Sequence, residues 1–463
     1  MVLPDFDAVN LESKRLLDAG LETVVFQTPP QSNDHFEASG RFIALHTGHF
    51  ESMCRHLLGD SAAMEALRGL DADLLFLDVA FPCGQAISEL LGKRVVLFSP
   101  VDIVDPFWSR FGRLPYSPAV HAALGSGLVH PMTWRERATN ALLSPLMFWL
   151  GSSVARASAQ RIARDFGLPG AGDPRDAFRG SRLLLVNAAD GLVGPLLVGG
   201  EPKPLPADLA AILEGAGPRG AVYVSFGTTF RPSSCDVVRG LAAALSALNR
   251  TVIWGLNPAR LPAACPLDVS ILPASIHIME WVPQADLLGH AQIKTFLSHA
   301  GVNSIYEAPY RGKPLVCMPL AADQFDGCAK AVKGGWGLQF KKEELSPATA
   351  HRLTARLEQA SAEGSPLAQR AAVVGAMLKA HSRPALELAA DWVEYALALP
   401  QDADLSDPAM AMPMWKRYCL DVYAAAAAAV VAVLGSATLV LRAGGRMVWR
   451  WLTAGRRSHG KTE

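Results

Sequence analysis

Short apolar runs alternate with amphipathic stretches along most of the chain. Leu21–Phe26, Asp73–Leu77, Val95–Phe98 and Leu183–Val186 are brief and mostly apolar, which predicts strands buried in a parallel sheet. Between them, His49–Leu58 and Gly84–Leu91 carry helical periodicity, and Thr133–Phe166 predicts one long amphipathic helix. The Pro/Gly-rich stretch GLVGPLLVGGEPKPLPADL, residues 191–209, then interrupts the alternation as a domain boundary would. Beyond it the pattern restarts. Ala221–Phe226 predicts a strand running into SFGTT, Val237–Leu248 a helix, Val252–Trp254 a strand, and further helices follow as far as Ala398. Strand–helix alternation on both sides of one boundary implies two α/β domains, residues 1–198 and 199–398.

The segment WVPQADLLGHAQIKTFLSHAGVNSIYEAPYRGKPLVCMPLAADQ, residues 281–324, concentrates the polar residues most suited to chemistry. It predicts a loop, a buried strand over Ile293–Leu297, a His-Ala-Gly turn, a helix over Val302–Arg311, a second buried strand over Pro314–Met318, and an acidic loop. Trp281, Gln284, His299, Asn303, Glu307, Asp323 and Gln324 thus gather near the carboxyl ends of two parallel strands and one helix start. Open α/β sheets bind ligands at such strand ends, and a helix N-terminus offers unpaired N–H groups and a positive dipole to an anion.

A second pattern lies near the C-terminus. Residues 399–421 read as a linker and juxtamembrane segment, and Val422–Leu441 is uncharged throughout. Such a run is long enough to cross a hydrocarbon core of ~30 Å. Trp415, Tyr418 and Tyr423 on one flank and Trp449 and Trp451 on the other would form interfacial belts. Arg442, Arg446, Arg450, Arg456, Arg457 and Lys461 in the tail 442–463, against Glu463 alone, place that tail in the cytoplasm and the two domains in the endoplasmic reticulum lumen or outside the cell. A buried core helix is the competing reading of 422–441. No charged-then-apolar leader precedes the first domain, and the opening MVLPDFDAV reads as a clipped strand, so a true start further upstream is one resolution.

Composition narrows the function. The 463 residues carry 43 basic and 43 acidic side chains, with no basic stripe of the kind nucleic-acid binders show. No C-x-x-C occurs among the seven cysteines, which speaks against a zinc or redox motif and for buried free thiols. No G-x-G-x-x-G follows the first strand, so a nucleotide-sugar epimerase or dehydrogenase lacks support.

The spacing W-x-x-Q, then H-x-x-x-N-x-x-x-E, then D-Q sixteen positions after the Glu, resembles the signature of the UDP-dependent glycosyltransferases, the family that includes the membrane-bound glucuronosyltransferases. The resemblance implies two facing doubly wound Rossmann-like domains of the GT-B type with a C-terminal transmembrane helix. It implies an inverting transfer of a hexosyl group from a UDP-sugar to a hydroxyl, with no cofactor and no metal. A lipophilic acceptor follows from the anchor and the apolar first domain. In this frame Trp281 stacks on the base with Gln284 beside it, and the adjacent Val282 belongs to the donor-binding set. Glu307 accepts both ribose hydroxyls. His299 donates to the β-phosphate, aided by Asn303 and the N–H groups of Gly301 to Ser304. Ser225, Gly227 and Thr228 of SFGTT lie against the diphosphate, and Asp323 and Gln324 hold the hydroxyls of the transferred sugar.

Two departures stand out. The family's general base is a His after the first strand, held by an Asp near a later strand. Asp78 in LLFLDVAFPCG matches the Asp, but the first loop reads Pro4-Asp5-Phe6-Asp7 and the first histidine is His35. His35, His46 and His49 read as solvated or pocket-lining. Either the base-bearing loop lies outside this start, or Asp5 or Asp7 replaces it, a poorer base near neutral pH unless its pKa is raised. Members that handle glucuronate often carry Arg after the Trp of the VLW strand. Here VIWGL places Gly255 there, which favours a neutral hexose. A catalytically impaired UDP-sugar-binding protein, acting as homo- or hetero-dimer partner of an active transferase, is the alternative.

Overall fold

The computed structural model describes residues 2–5, 24–27, 42–70, 72–78, 83–99, 125–172, 181–186, 194–196, 198–227, 234–258, 261, 265, 267–380, 383–400 and 420–458. Thr228, Phe6, Asp7, His35, Cys419, the start of the strand expected at 21–26 and most of the linker lie outside them, as do the side chains of His46 and His49.

Eleven parallel strands are described, in three sheets. β1 (Val2–Asp5) pairs with β2 (Val24–Gln27). β3 (Leu74–Asp78), β4 (Arg94–Ser99) and β5 (Ser181–Val186) form the second sheet. Against the latter half of the chain stands a six-stranded sheet in the order β11-β10-β9-β6-β7-β8, made of β6 (Ala221–Ser225), β7 (Thr251–Gly255), β8 (Ile276–Met279), β9 (Ile293–Ser298), β10 (Leu315–Cys317) and β11 (Gly337–Gln339).

The large sheet is covered on both faces because its strands are apolar on both. Val222, Val224, Val252, Trp254, Leu297 and Val316 face one core, which helices α6 (Cys235–Ser246) and α10 (Ala350–Ser361) close with Leu241, Leu245, Leu353 and Leu357. The alternate residues Tyr223, Ile253, Phe296, Leu315 and Cys317 face the other core. That side is closed by α5 (Ala207–Glu214), α7 (Gln284–Gly289), α8 (Val302–Tyr310) and α9 (Gln324–Gly334). The two-residue period of the strands thus sorts each run into two cores.

In the first half, α1 (Phe42–Gly59), α2 (Ser61–Gly69), α3 (Gly84–Leu91) and α4 (Trp134–Phe166) pack around Leu57, Met64, Ile87 and Ile162. α4 starts at a reciprocal cap: Thr133 N–H donates to Glu136 Oε2 and Glu136 N–H to Thr133 Oγ1. The Glu51 carboxylate is held at a pKa of about 2 by the Arg161 guanidinium, against its burial, with Arg55 and Ser158 also donating, and it ties α1 to α4. After α11 (Pro366–Lys379), α12 (Ala385–Ala398) packs on the β3–β5 sheet through Ala389, Trp392 and Ala396. The last helix of residues 199–398 therefore covers the sheet of residues 1–198.

Two expectations need correction, and a third element extends beyond its apolar run. The helix expected at 49–58 starts seven residues earlier, at Phe42. Buried free thiols are wrong for four cysteines: Cys54–Cys83 and Cys235–Cys265 pair as disulfides at Cα separations of 5.2 and 5.1 Å, while Cys317 and Cys328 stay as buried thiols. Spacing alone could not show this, because it is the packing of α1 on the start of α3, and of the start of α6 on the loop after β7, that brings the partners together. The apolar run at 422–441 belongs to a longer helix, α13 (Leu420–Ser458), of ~58 Å, which continues through the basic residues. Its residues Leu420–Arg450 contain an apolar window of mean hydropathy 2.3, none of it buried, and form a helix long and apolar enough to cross a membrane.

Candidate active site

The order of the large sheet creates the site. β7 and β8 are added to one side of β6, and β9, β10 and β11 to the other, so the strand order reverses between β6 and β9. A crevice opens outside the carboxyl ends of the strands at such a reversal. Ser225, the last residue of β6, is in register with Ser298, the last of β9, and Ser298 with Cys317, the last of β10. Three chain ends are therefore level, and the loops that follow them carry Gly227, His299 and Asp323.

His299 stands at the centre. Ser298 Oγ accepts the Ala300 N–H at 3.0 Å, and Ala300 takes a left-handed φ of 65°, which turns the chain sharply from β9 into α8. The imidazole lies between two glycines. A Cβ at Gly227 would sit 2.9 Å from His299 Nε2, and one at Gly301 2.6 Å from it, so neither position tolerates a side chain while the ring stays in place. Burial pushes His299 down to a pKa of about 4, with hydrogen bonding toward the Ser225 backbone pulling the other way, so the ring is neutral at physiological pH. Its Nδ1 is shut away from solvent and makes no hydrogen bond of good geometry among the described residues. A buried polar atom left in this state favours a ligand that can satisfy it. Gly301 is the N-cap of α8, so the helix starts at Val302, three residues after His299 at the carboxyl side of β9.

A polar relay runs from β6 through α7 to α8. Tyr223 OH donates to Gln284 Oε1 at 3.2 Å, and Gln284 Nε2 donates to Glu307 Oε2 at 2.5 Å and to Ser304 Oγ at 3.4 Å. Tyr223 is 2% exposed, stacked on Phe296 at 4.6 Å, and its hydroxyl pKa is raised by burial. Glu307 is half-buried. Burial raises its pKa, while the Gln284 amide and Arg311 oppose the rise. Its carboxylate accepts a side-chain N–H from Gln284 and can accept a hydroxyl in the same manner. Trp281 lies half-buried in the loop between β8 and α7, three residues before Gln284.

The third loop approaches from β10. Ala322 takes a φ of 51°, and burial pushes the Asp323 carboxyl up to a pKa of about 6, opposed by its own N–H and that of Val302. Asp323 therefore lies beside the start of α8, where the loops after β9 and β10 meet. Gln324 is turned inward: it is 1% exposed, and its Oε1 accepts the N–H groups of Leu320 and Ala321 at 2.8 and 3.1 Å. Its carbonyl oxygen therefore fastens the loop after β10. Val282 is buried and packs with Leu287 and Leu288, so its side chain belongs to the core. Asp78 ends β3 on the first half with its side chain exposed. Tyr223 was missed from the sequence, because a tyrosine at an inward position of an apolar strand reads as core. Among the described residues no group of three or more His, Cys, Asp or Glu could hold a metal ion.

Fold and crevice together define a two-half α/β protein with parallel sheets and an anion-suited site at the switch point of the second. The family model described as UDP-glucoronosyl and UDP-glucosyl transferase matches residues 14–176 and 178–450, and the chain belongs to that family. It is similar to 2-hydroxyacylsphingosine 1-beta-galactosyltransferase of Rattus norvegicus, 31% identical over 320 residues, which are 65% of this chain and 56% of that protein. It is also similar to UDP-glucuronosyltransferase 3A1 of Mus musculus, 28% identical over 390 residues, 81% of this chain and 72% of the other. The match thus spans little more than half the length of the galactosyltransferase. Among solved structures, Os79 from O. sativa in complex with U2F and trichothecene superimposes with a TM-score of 0.54 at 20% identity, covering 85% of this chain and 100% of that one. Arabidopsis thaliana UGT89C1 complexed with UDP gives 0.55 at 15%, covering 86% and 92%. These likenesses establish the GT-B fold.

Proposed function

We propose that the chain is a membrane-anchored inverting glycosyltransferase that moves a hexosyl group from a UDP-sugar to a hydroxyl of a lipophilic acceptor. The observation that carries this is the convergence, at one switch point, of an unsatisfied neutral His299, the α8 N-terminus, the Gln284–Glu307 pair and Asp323. Trp281 would stack on the uracil and Glu307 would accept the ribose hydroxyls in place of Gln284. The His299 N–H and the α8 N–H groups would meet the diphosphate, and Asp323 would accept from hydroxyls of the sugar. The acceptor oxygen then forms its bond to the anomeric carbon on the face opposite the departing phosphate oxygen. The bond to UDP breaks, UDP leaves with the electron pair, and the acceptor proton passes to a base of the first half. Charge growing on the β-phosphate is what the neutral donor and the helix end stabilise more in the transition state than in the ground state.

Finer points have separate support. Gly255 closes β7 in register with Ser225, so this rim position carries no cation to pair with a uronate, which favours glucose or galactose. The rat relative's name specifies a 2-hydroxyacylsphingosine acceptor, which supports a lipophilic alcohol here. Two disulfides and the arginines following the apolar run support a body in an oxidising lumen and a cytoplasmic tail. The test is UDP release by the full chain in detergent micelles with UDP-glucose, UDP-galactose or UDP-glucuronate and a hydroxyacyl-sphingosine. A neutral sugar is expected to turn over. One observation favours a second reading: Asp5, not a histidine, ends β1. Saturable UDP binding with no release under any donor would establish a non-catalytic binding partner instead.

Two predictions arise here. If the Asp323 carboxylate grips the sugar, kcat/KM for the donor falls as pH drops through about 6, and Asp323→Asn lowers the plateau and removes that limb. Because the folded pKa lies above the unfolded one, the native state holds the extra proton between the two. This group's contribution to stability therefore declines as pH rises from ~4 to 6, the reverse of the activity trend. Tyr223→Phe removes a hydrogen bond of ~1 kcal/mol from Gln284, and KM for the donor is expected to rise ~5-fold at nearly constant kcat.

A further inference from the structure

One helix carries a pair of polar contacts that the proposed chemistry does not use. Asp326, two residues beyond Gln324 in α9, is 5% exposed. Its Oδ2 accepts the Gly125 N–H at 2.6 Å and its Oδ1 the Gly127 N–H at 2.7 Å. Both glycines have left-handed φ, 76° and 67°, and their N–H groups together form a concave anion nest that the carboxylate fills. Seven residues on and two turns along the same face, Lys333 Nζ donates to the carbonyls of Val129 and Pro131 at 2.8 and 3.2 Å and pairs with Glu136 at 3.2 Å. The strap 125–133 leads directly into α4, a helix of the first half.

The strap does more than touch α9. A Cβ at Gly125 would lie 3.3 Å from the carbonyl oxygen of Ala322, so the turn rests directly on the residue that precedes Asp323. Ala322 has a φ of 51°, a conformation an alanine keeps only where its surroundings impose it. Asp326 pulls the glycine turn down onto this residue from one side, and Gln324 fastens the loop from the other.

We infer that Asp326 is a positioning residue: by drawing the Gly125–Gly127 turn of the first half onto Ala322, with Lys333 as the second fastening, it sets Asp323 for the transferred sugar. This deepens the proposed function and rests on it. The consequence is selective. The nucleoside diphosphate is assigned to Trp281, Glu307, His299 and α8, whereas the sugar is assigned to the loop on which the strap directly rests.

The experiment compares equilibrium binding of UDP with that of UDP-glucose and UDP-galactose, and steady-state kinetics with whichever turns over, for the full-length wild type, Asp326→Asn and Lys333→Met. Asparagine keeps the size but presents N–H to one of two N–H donors. The expected result is UDP affinity within about twofold of wild type, the added affinity of the UDP-sugar over UDP lost, and kcat/KM lowered by about tenfold in Asp326→Asn, with a smaller change of the same kind in Lys333→Met. Equal weakening of UDP and UDP-sugar, or no change in either, overturns the inference. If Asp326→Asn fails to fold, Lys333→Met decides by the same ratio. A wild type that binds no UDP would sink the proposed function itself, a result distinct from every variant outcome above.

Discussion

His299→Ala is expected to lower kcat/KM for the donor by about 10²- to 10³-fold, with UDP affinity falling by less than about tenfold. The ring is neutral, because burial pushes its pKa to about 4, so it contributes a directed N–H rather than a full charge. A neutral donor gains most where charge grows during the reaction, on the departing β-phosphate. Its loss therefore appears in the chemical step more than in ground-state binding. Glycines at 227 and 301 permit the ring to sit where it does. Gly301→Ala, with its Cβ only 2.6 Å from His299 Nε2, should reproduce much of the kinetic defect without touching the imidazole chemically. Equal losses in UDP binding and in kcat/KM for His299→Ala would show that the histidine serves binding alone.

The second large effect is expected at Glu307. Two charge-assisted bonds to a ribose, each worth ~1.5–3 kcal/mol, put the cost of Glu307→Ala at ~3 kcal/mol, a rise of about 10²-fold in the dissociation constant for UDP. Glu307→Gln should cost less, since an amide retains one acceptor. Stability should move in step, because Gln284 Nε2 loses its main acceptor when the carboxylate goes. Titration calorimetry with UDP, and thermal unfolding of each variant without ligand, separate the two contributions. UDP affinity unchanged in Glu307→Ala would remove this residue from the site.

Much of this arrangement is legible along the chain, for identifiable reasons. β6 is apolar up to Ser225, and β9, though it holds Lys294 and Thr295, is apolar at Ile293, Phe296 and Leu297 and ends in Ser298, so both their existence and their carboxyl ends can be read from pattern. α8 is marked by Gly301 before it and Gly312 after it. β8 and β11, of four and three residues at the two edges of the sheet, are too short to show a period. α12 is long enough to show a helical period, but its amphipathic stripe says that it covers a sheet and not which one. The disulfides, the Tyr223 hydroxyl and the Asp326 nest are invisible for a deeper reason: each joins segments whose proximity only the folded chain creates. Gln324 shows a further limit. Spacing singles out the residue, but its 1% exposure and inward carbonyl reveal a loop fastener.

The central claim is that the switch point between β6 and β9 binds a uridine diphosphate. Calorimetric titration of UDP into the full-length protein, alongside Trp281→Ala and Glu307→Ala, tests it most directly. The account predicts a saturable single site in the wild type, weakened at least about tenfold by each substitution while thermal unfolding stays cooperative. Absence of UDP binding in the folded wild type, or binding that neither substitution alters, would contradict it.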